Sequence, residues 1–160
     1  MGSWAQAVIF PQKKQPGVAK ITQKSNSYQL ANKVLKASFI NTGGKLYFNG
    51  CSELGLQPDT ELFKVLLGDG STVAASGMKL EDVKIVTLGE DPSAATASLR
   101  YAGKALEARF TYGNLSITWR AVLRDGSHYL RTEMDIKAAR DLAMKGIVAM
   151  NYLVAKNSAY

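Results

Sequence analysis

The regular alternation of apolar and polar residues between Ala105 and Leu123 limits the fold of this chain more than any other feature of its sequence. In the first half, every second position is apolar: Leu106, Ala108, Phe110 and Tyr112 alternate with Glu107, Arg109 and Thr111. After Gly113-Asn114 the alternation resumes: Leu115, Ile117, Trp119, Ala121 and Leu123 alternate with Ser116, Thr118, Arg120 and Val122. Successive side chains of a β-strand point to opposite faces. The pattern therefore predicts two paired strands with one face in the core and one face, including Glu107, in solvent.

The rest of the chain consists of short segments rich in β-branched and aromatic residues, separated by turn residues. Chain reversals are predicted at Asn41–Gly44 and Gly68–Ser71, a strand at Ala97–Tyr101, and a buried strand at Gly146–Val154. Only Lys137–Lys145 also fits a helix. This spacing of strands and turns is typical of sandwiches and barrels. The fold class is predicted to be all-β, an antiparallel β-sandwich of about a dozen short strands.

The length of 160 residues fits one domain with its own core. Residues 1–17 are predicted to be an N-terminal segment and linker, in which Trp4–Phe10 can form an edge strand before Pro11 and Pro16 interrupt pairing. Residues 18–155 are predicted to form the β-sandwich domain, and residues 156–160 a C-terminal tail.

The net charge of +7 raises the question of an anionic partner. Basic residues are scattered from Lys13 to Lys156, and no stretch interleaves them with aromatic residues as RNA-binding motifs do. No apolar run approaches the roughly 20 residues that span a bilayer. Neither a nucleic acid nor a membrane is therefore expected as a partner.

The sequence offers little for catalysis or metal binding. His128, predicted to lie in a strand just after a turn, is the single histidine, and Cys51 is the single cysteine. This is too little for a nucleophilic triad or a four-ligand zinc site. Glu133 and Asp135 share one face of a predicted strand, where pairing with nearby arginines is favoured over glycosidase chemistry. No catalytic residue, metal or cofactor is predicted.

Two segments resemble the N-terminal domain of α-galactosidase-type glycoside hydrolases: Tyr28–Phe39, and Ile117–Glu133 with its Leu-Arg-Asp-Gly turn. The resemblance implies a galactose-mutarotase-like β-supersandwich that precedes a (β/α)8 catalytic barrel, packs on it and helps to shape the sugar-binding site. It implies two partners, the C-terminal catalytic barrel of the same polypeptide and a carbohydrate. Enzymes of this kind act outside the cytoplasm, so a periplasmic or extracellular location is favoured.

Four residues of the second segment are expected to contact the sugar or the barrel: Arg124, His128, Tyr129 and Arg131. Arginine and tyrosine suit contacts that combine hydrogen bonding with stacking. Two other functions remain open at this point, an independent carbohydrate-binding module and a self-assembling structural protein.

Overall fold

A computed structural model describes residues 14–51 and 60–149 of the chain. These residues form eleven strands: β1 (Lys20–Lys24), β2 (Ser27–Ala31), β3 (Lys36–Thr42), β4 (Lys45–Cys51), β5 (Lys64–Leu67), β6 (Thr72–Ala74), β7 (Lys79–Leu88), β8 (Gly103–Tyr112), β9 (Leu115–Arg124), β10 (Arg131–Ala138) and β11 (Met144–Val148). The part of the chain that is described contains no helix long and apolar enough to cross a membrane.

The strands form three antiparallel sheets. The N-terminal sheet has the order β1-β2-β3-β4, the C-terminal sheet the order β10-β9-β8-β7, and the small sheet the order β11-β5-β6. The predicted all-β class and antiparallel β-sandwich are confirmed. Sequence neighbours are also sheet neighbours through most of the molecule, because short turns join antiparallel strands directly.

The core lies between the sheets and is rich in aromatic side chains. Phe39 of β3 meets Trp119 of β9 edge to face, with ring centroids 5.6 Å apart and an interplanar angle of 69°. Phe63, just before β5, meets Phe110 of β8 in the same way at 5.3 Å. Each of these pairs joins two sheets and adds an edge-to-face contact to the area that it buries.

The alternation that predicted β8 and β9 is confirmed by their register. Leu106 lies opposite Ala121, Ala108 opposite Trp119 and Phe110 opposite Ile117, and all six side chains are buried. The reversal at Asn41–Gly44 is also confirmed, since Gly43 and Gly44 take φ values of 59° and 72° in the turn between β3 and β4. Glycine adopts this left-handed conformation without steric cost.

Several predicted elements differ from the structure. Residues Ala97–Leu99 form a 3-10 turn, so the predicted strand at Ala97–Tyr101 is wrong. Strand β10 begins only at Arg131, which places His128 in a loop and corrects its predicted place in a strand.

At the C-terminal end, Lys137–Lys145 contains no helix. Strand β11 is partly exposed, with Ile147 at 40%, because it lies at the edge of the small sheet, so the predicted full burial is wrong. Residues 150–154 of that predicted strand lie outside the described residues, as do the predicted edge segment at Trp4–Phe10 and the predicted tail. Of the predicted linker at Lys13–Gly17, residues 14–17 are described, and the carbonyl oxygens of Pro16 and Gly17 accept hydrogen bonds from Lys33 N and Gly126 N.

The prediction that Glu107 faces solvent is wrong. It is only 5% exposed, and its carboxylate lies 2.9 Å from Lys84 Nζ and 2.5 Å from Arg120 Nε. Burial raises the pKa of Glu107, but hydrogen bonds from Lys84 and Arg120 outweigh this effect, and the net pKa is lowered.

The register places Lys84, Glu107, Arg120 and Glu133 in one row across all four strands of the C-terminal sheet. Charge alternates along this row, which favours the pairing of these strands.

Candidate functional site

A groove of about 450 Å³ lies at one end of the C-terminal sheet, on the face that points away from the core. Its lining comes from the end of β9, the following loop, the start of β10 and the segment before β8: Ser98, Tyr101, Val122, Arg124, Asp125, Gly126, Ser127, Tyr129, Leu130 and Arg131. Three of the four predicted site residues, Arg124, Tyr129 and Arg131, are therefore brought together here.

The two arginines fix one wall of the groove. Arg124 Nη1 donates hydrogen bonds to the carbonyl oxygens of Gly89 at 3.2 Å and Tyr101 at 2.6 Å. Arg131 donates through Nη1 to Ser98 Oγ at 3.2 Å and through Nη2 to Glu133 Oε1 at 2.6 Å. Both guanidinium groups thus hold the segment before β8 against β9 and β10. The predicted pairing of Glu133 with an arginine is confirmed, although Arg131 lies on the same strand and not on an adjacent one. The predicted pairing of Asp135 with an arginine is wrong, because Asp135 pairs with Lys137.

The opposite rim is the loop between β9 and β10, and the N-terminal part of the chain holds it in place. Asp125 Oδ1 accepts a hydrogen bond from Ala19 N at 2.7 Å, and Gly126 N donates to the Gly17 carbonyl oxygen at 2.9 Å. Asn32 Nδ2 donates to the Ser127 carbonyl oxygen at 2.7 Å. Gly126 takes a φ of 73°, which glycine allows without strain. The Leu-Arg-Asp-Gly segment is therefore a fixed turn that contacts the segment before β1, and the adjoining Ser127 contacts the turn between β2 and β3.

Two tyrosine rings remain open to solvent at the groove. Tyr129 is 65% exposed and Tyr101 is 58% exposed, although large aromatic side chains are usually covered. His128 lies in the same loop, half-buried, but it does not line the groove. The exposed surface of the groove thus combines two phenol rings with the hydroxyl groups of Ser98 and Ser127.

Ser98 and Tyr101 were not among the residues singled out from the sequence. The pairing of Gly103 with Arg124 brings them to the site, since this register places the start of β8 beside the end of β9. A Cβ atom at Gly103 would overlap the carbonyl oxygen of Leu123. A glycine just before a predicted strand is the one sequence signal for such a close backbone approach.

The chain matches no protein-family model, no curated protein and no solved structure. What the groove can bind follows from its own side chains.

The charged groups that line the groove are two arginines and one aspartate. Asp125 supplies its one carboxylate, which already accepts the Ala19 hydrogen bond. Glycoside hydrolysis generally uses two carboxyl groups on opposite sides of the scissile bond. Within residues 14–51 and 60–149, no group of three or more His, Cys, Asp and Glu side chains is placed to hold a metal ion.

Proposed function

We propose that this chain is a non-catalytic accessory domain of an α-galactosidase-type glycoside hydrolase, and that its groove holds part of the carbohydrate substrate. In this proposal the domain packs on a (β/α)8 catalytic barrel of the same polypeptide, and the groove forms one wall of the sugar-binding site. The supporting observation is the pair of exposed rings, Tyr101 and Tyr129, at a groove large enough for a sugar residue.

The chemistry of the groove fits a sugar in two ways. The apolar C–H face of a sugar ring stacks on a phenol ring, while its hydroxyl groups need donors and acceptors at the edge. Ser98 supplies a hydroxyl group beside the two rings, whereas the Ser127 hydroxyl is engaged by the backbone of Tyr129. The segment Ile117–Glu133, which resembles these hydrolases, supplies β9, the rim loop and the start of β10.

The arginines take a different part in this proposal from the one that the sequence suggested. Their hydrogen bonds to Gly89, Tyr101 and Ser98 hold the groove open, so they act by positioning the wall that carries Tyr101. Replacing them would disturb the groove itself. Variants that test sugar contact therefore belong at the tyrosines.

The test is a calorimetric titration of the chain with α-galactosyl oligosaccharides and with a panel of other neutral oligosaccharides. Loss of one stacking ring is expected to weaken binding about fivefold in Tyr101→Ala and in Tyr129→Ala. Tyr112→Ala is the matched control, because Tyr112 is a tyrosine 45% exposed at the opposite end of β8. Equal weakening in all three variants, or no sugar binding by the parent chain, would overturn the assignment of the groove.

The accessory role has a separate test. An antibody against the domain is used to measure the mass of the reactive band in an extract of the native source. A band several times larger than 17.3 kDa is expected for a domain attached to a catalytic barrel. A band at 17.3 kDa together with sugar binding would instead indicate an independent carbohydrate-binding module.

A further inference from the structure

The excess of positive over negative charge comes from the N-terminal third of the chain. Residues 1–52 contain seven lysines and no aspartate or glutamate, whereas residues 53–160 contain thirteen basic and thirteen acidic residues. The whole net charge of +7 therefore comes from the segment that includes the N-terminal sheet. Such a one-sided distribution produces a local positive potential that attracts anions.

The strand register places Lys20, Lys24 and Lys45 on the outer face of the N-terminal sheet. On β1, Ile21 packs against the core, so Lys20, Thr22 and Lys24 alternate onto the other face, where all three are exposed. On β4, Leu46 and Phe48 are buried, which leaves Lys45 on the outer face. Lys20 and Lys24 are about 13 Å apart along β1, and Lys45 lies three strands away, about 14 Å across the sheet.

A shallow hollow of about 370 Å³ lies on the N-terminal sheet. Six of its eight lining residues are polar: Thr22, Lys24, Ser27, Gln29, Ser38 and Asn49. Thr22, Gln29 and Ser38 lie opposite one another on three adjacent strands. Hydroxyl and amide groups therefore occupy the space between the lysines, where they can exchange hydrogen bonds with sugar hydroxyl groups.

We propose that the outer face of the N-terminal sheet binds an acidic polysaccharide, with sulfate or carboxylate groups near Lys20, Lys24 and Lys45 and sugar hydroxyl groups in the hollow. This site is separate from the groove on the C-terminal sheet. The proposal does not depend on the function assigned to that groove.

The composition of the face favours a polysaccharide over other polyanions. None of the exposed large apolar side chains of the described residues lies on β1–β4, and the outward-facing Ile40 and Tyr47 are half-buried. The face therefore offers little apolar surface for stacking bases or for insertion into a lipid surface.

The test compares binding of the chain to heparin, to polygalacturonate, to neutral dextran, to single-stranded DNA and to phosphatidylserine vesicles. Binding to heparin, polygalacturonate or both is expected, with no binding to dextran and an affinity that falls as salt is raised. The heparin and polygalacturonate results distinguish sulfate from carboxylate as the preferred group. Tighter binding to DNA or to vesicles, or no binding to either acidic polysaccharide, would overturn the proposal.

Two triple variants with the same change in net charge localise the site. Lys20→Gln, Lys24→Gln and Lys45→Gln together are expected to weaken polysaccharide binding about tenfold. The control variant carries Lys79→Gln, Lys137→Gln and Lys145→Gln, at exposed lysines outside the N-terminal sheet. Its affinity for the polysaccharide is expected to stay within about twofold of that of the parent chain. Equal weakening would show that net charge alone attracts the polymer, against a site on this face. Circular dichroism and thermal unfolding check that both variants are folded.

Discussion

The N-terminal and C-terminal sheets each have four antiparallel strands, but their charged side chains are arranged differently. On the C-terminal sheet, ion pairs link neighbouring side chains: Lys84 with Glu107, Arg120 with Glu107, Arg109 with Asp82 and Arg131 with Glu133. The strands of the N-terminal sheet carry lysines and no acidic residue. The pairs of Lys84 and Arg120 with Glu107 and of Arg109 with Asp82 link adjacent strands, whereas Lys20, Lys24 and Lys45 are exposed and available to an anionic partner.

This difference also affects where each sheet can bind a ligand. On the C-terminal sheet, Arg124 and Arg131 are engaged by Gly89, Tyr101, Ser98 and Glu133, and the exposed chemistry of the groove is aromatic. On the N-terminal sheet, the exposed chemistry is cationic and polar. The two faces are therefore expected to respond differently to salt, since screening weakens charge interactions and leaves stacking largely unchanged.

The contact that joins the two sheets gives the largest expected effect. Trp119→Ala removes the ring that packs on Phe39 and is expected to lower the free energy of unfolding by about 4 kcal/mol, measured by urea denaturation. Phe39→Ala and the double variant complete the cycle, with an expected coupling of about 1 kcal/mol. A coupling near zero would mean that the two sheets are stabilised independently at this point.

An intermediate effect is expected within the charged row of the C-terminal sheet. Glu107→Gln leaves Lys84 and Arg120 without their carboxylate and is expected to cost about 2 kcal/mol at neutral pH. Because the pKa of Glu107 is lowered in the folded state, its stabilisation is present above the ordinary glutamate pKa and is lost as the pH falls through the lowered value. In urea titrations the difference between parent and variant should therefore stay constant from neutral pH down to the ordinary glutamate pKa of about 4.3 and shrink below it.

Asp135→Asn provides the control for this row, because Asp135 pairs with Lys137 at 3.5 Å in an exposed position. Its expected cost is below about 0.5 kcal/mol. Equal costs for the two substitutions would show that burial of Glu107 adds nothing to the value of its ion pairs.

The smallest effect is expected from the lysines of the N-terminal sheet. The triple variant with glutamine at Lys20, Lys24 and Lys45 should change the free energy of unfolding by less than about 0.5 kcal/mol. At low salt the change should be an increase in stability, because the variant removes like charges. The control triple variant removes the partners of Glu81 and Asp135 and should shift stability slightly the other way. A loss above about 1 kcal/mol in the first variant would show that these lysines stabilise the fold.

The sequence predicted strands β8 and β9 well because their apolar residues recur with the two-residue period of a strand. Strand prediction failed where this period is absent. Residues Ala97–Tyr101 contain small and apolar residues without clear alternation, and their hydrogen bonds to Arg124 and Arg131 stabilise an irregular segment instead. Met144 and Ile147 are apolar, yet they are partly exposed because β11 has a neighbour on one edge only.

The candidate site was predictable only in part, for a similar reason. Arg124, Tyr129 and Arg131 lie close together in the sequence, so their proximity required no knowledge of the fold. Tyr101 lies at the groove because β8 pairs with β9, and the register of this pairing cannot be read from the sequence alone. The cationic face depends on sheet register in the same way, because Lys45 approaches β1 only when four strands are aligned.

The hydrogen bond between Asp125 and Ala19 joins residues 106 positions apart in the chain. A contact between residues so far apart in the sequence closes a large loop, and its entropic cost is offset only after both partners are ordered. We therefore expect the rim of the groove to take its final shape late in folding, once β9 has met the segment that leads into β1. A partly folded chain would lack the groove, so any ligand bound there would select the completed native state and slow its loss to proteolysis.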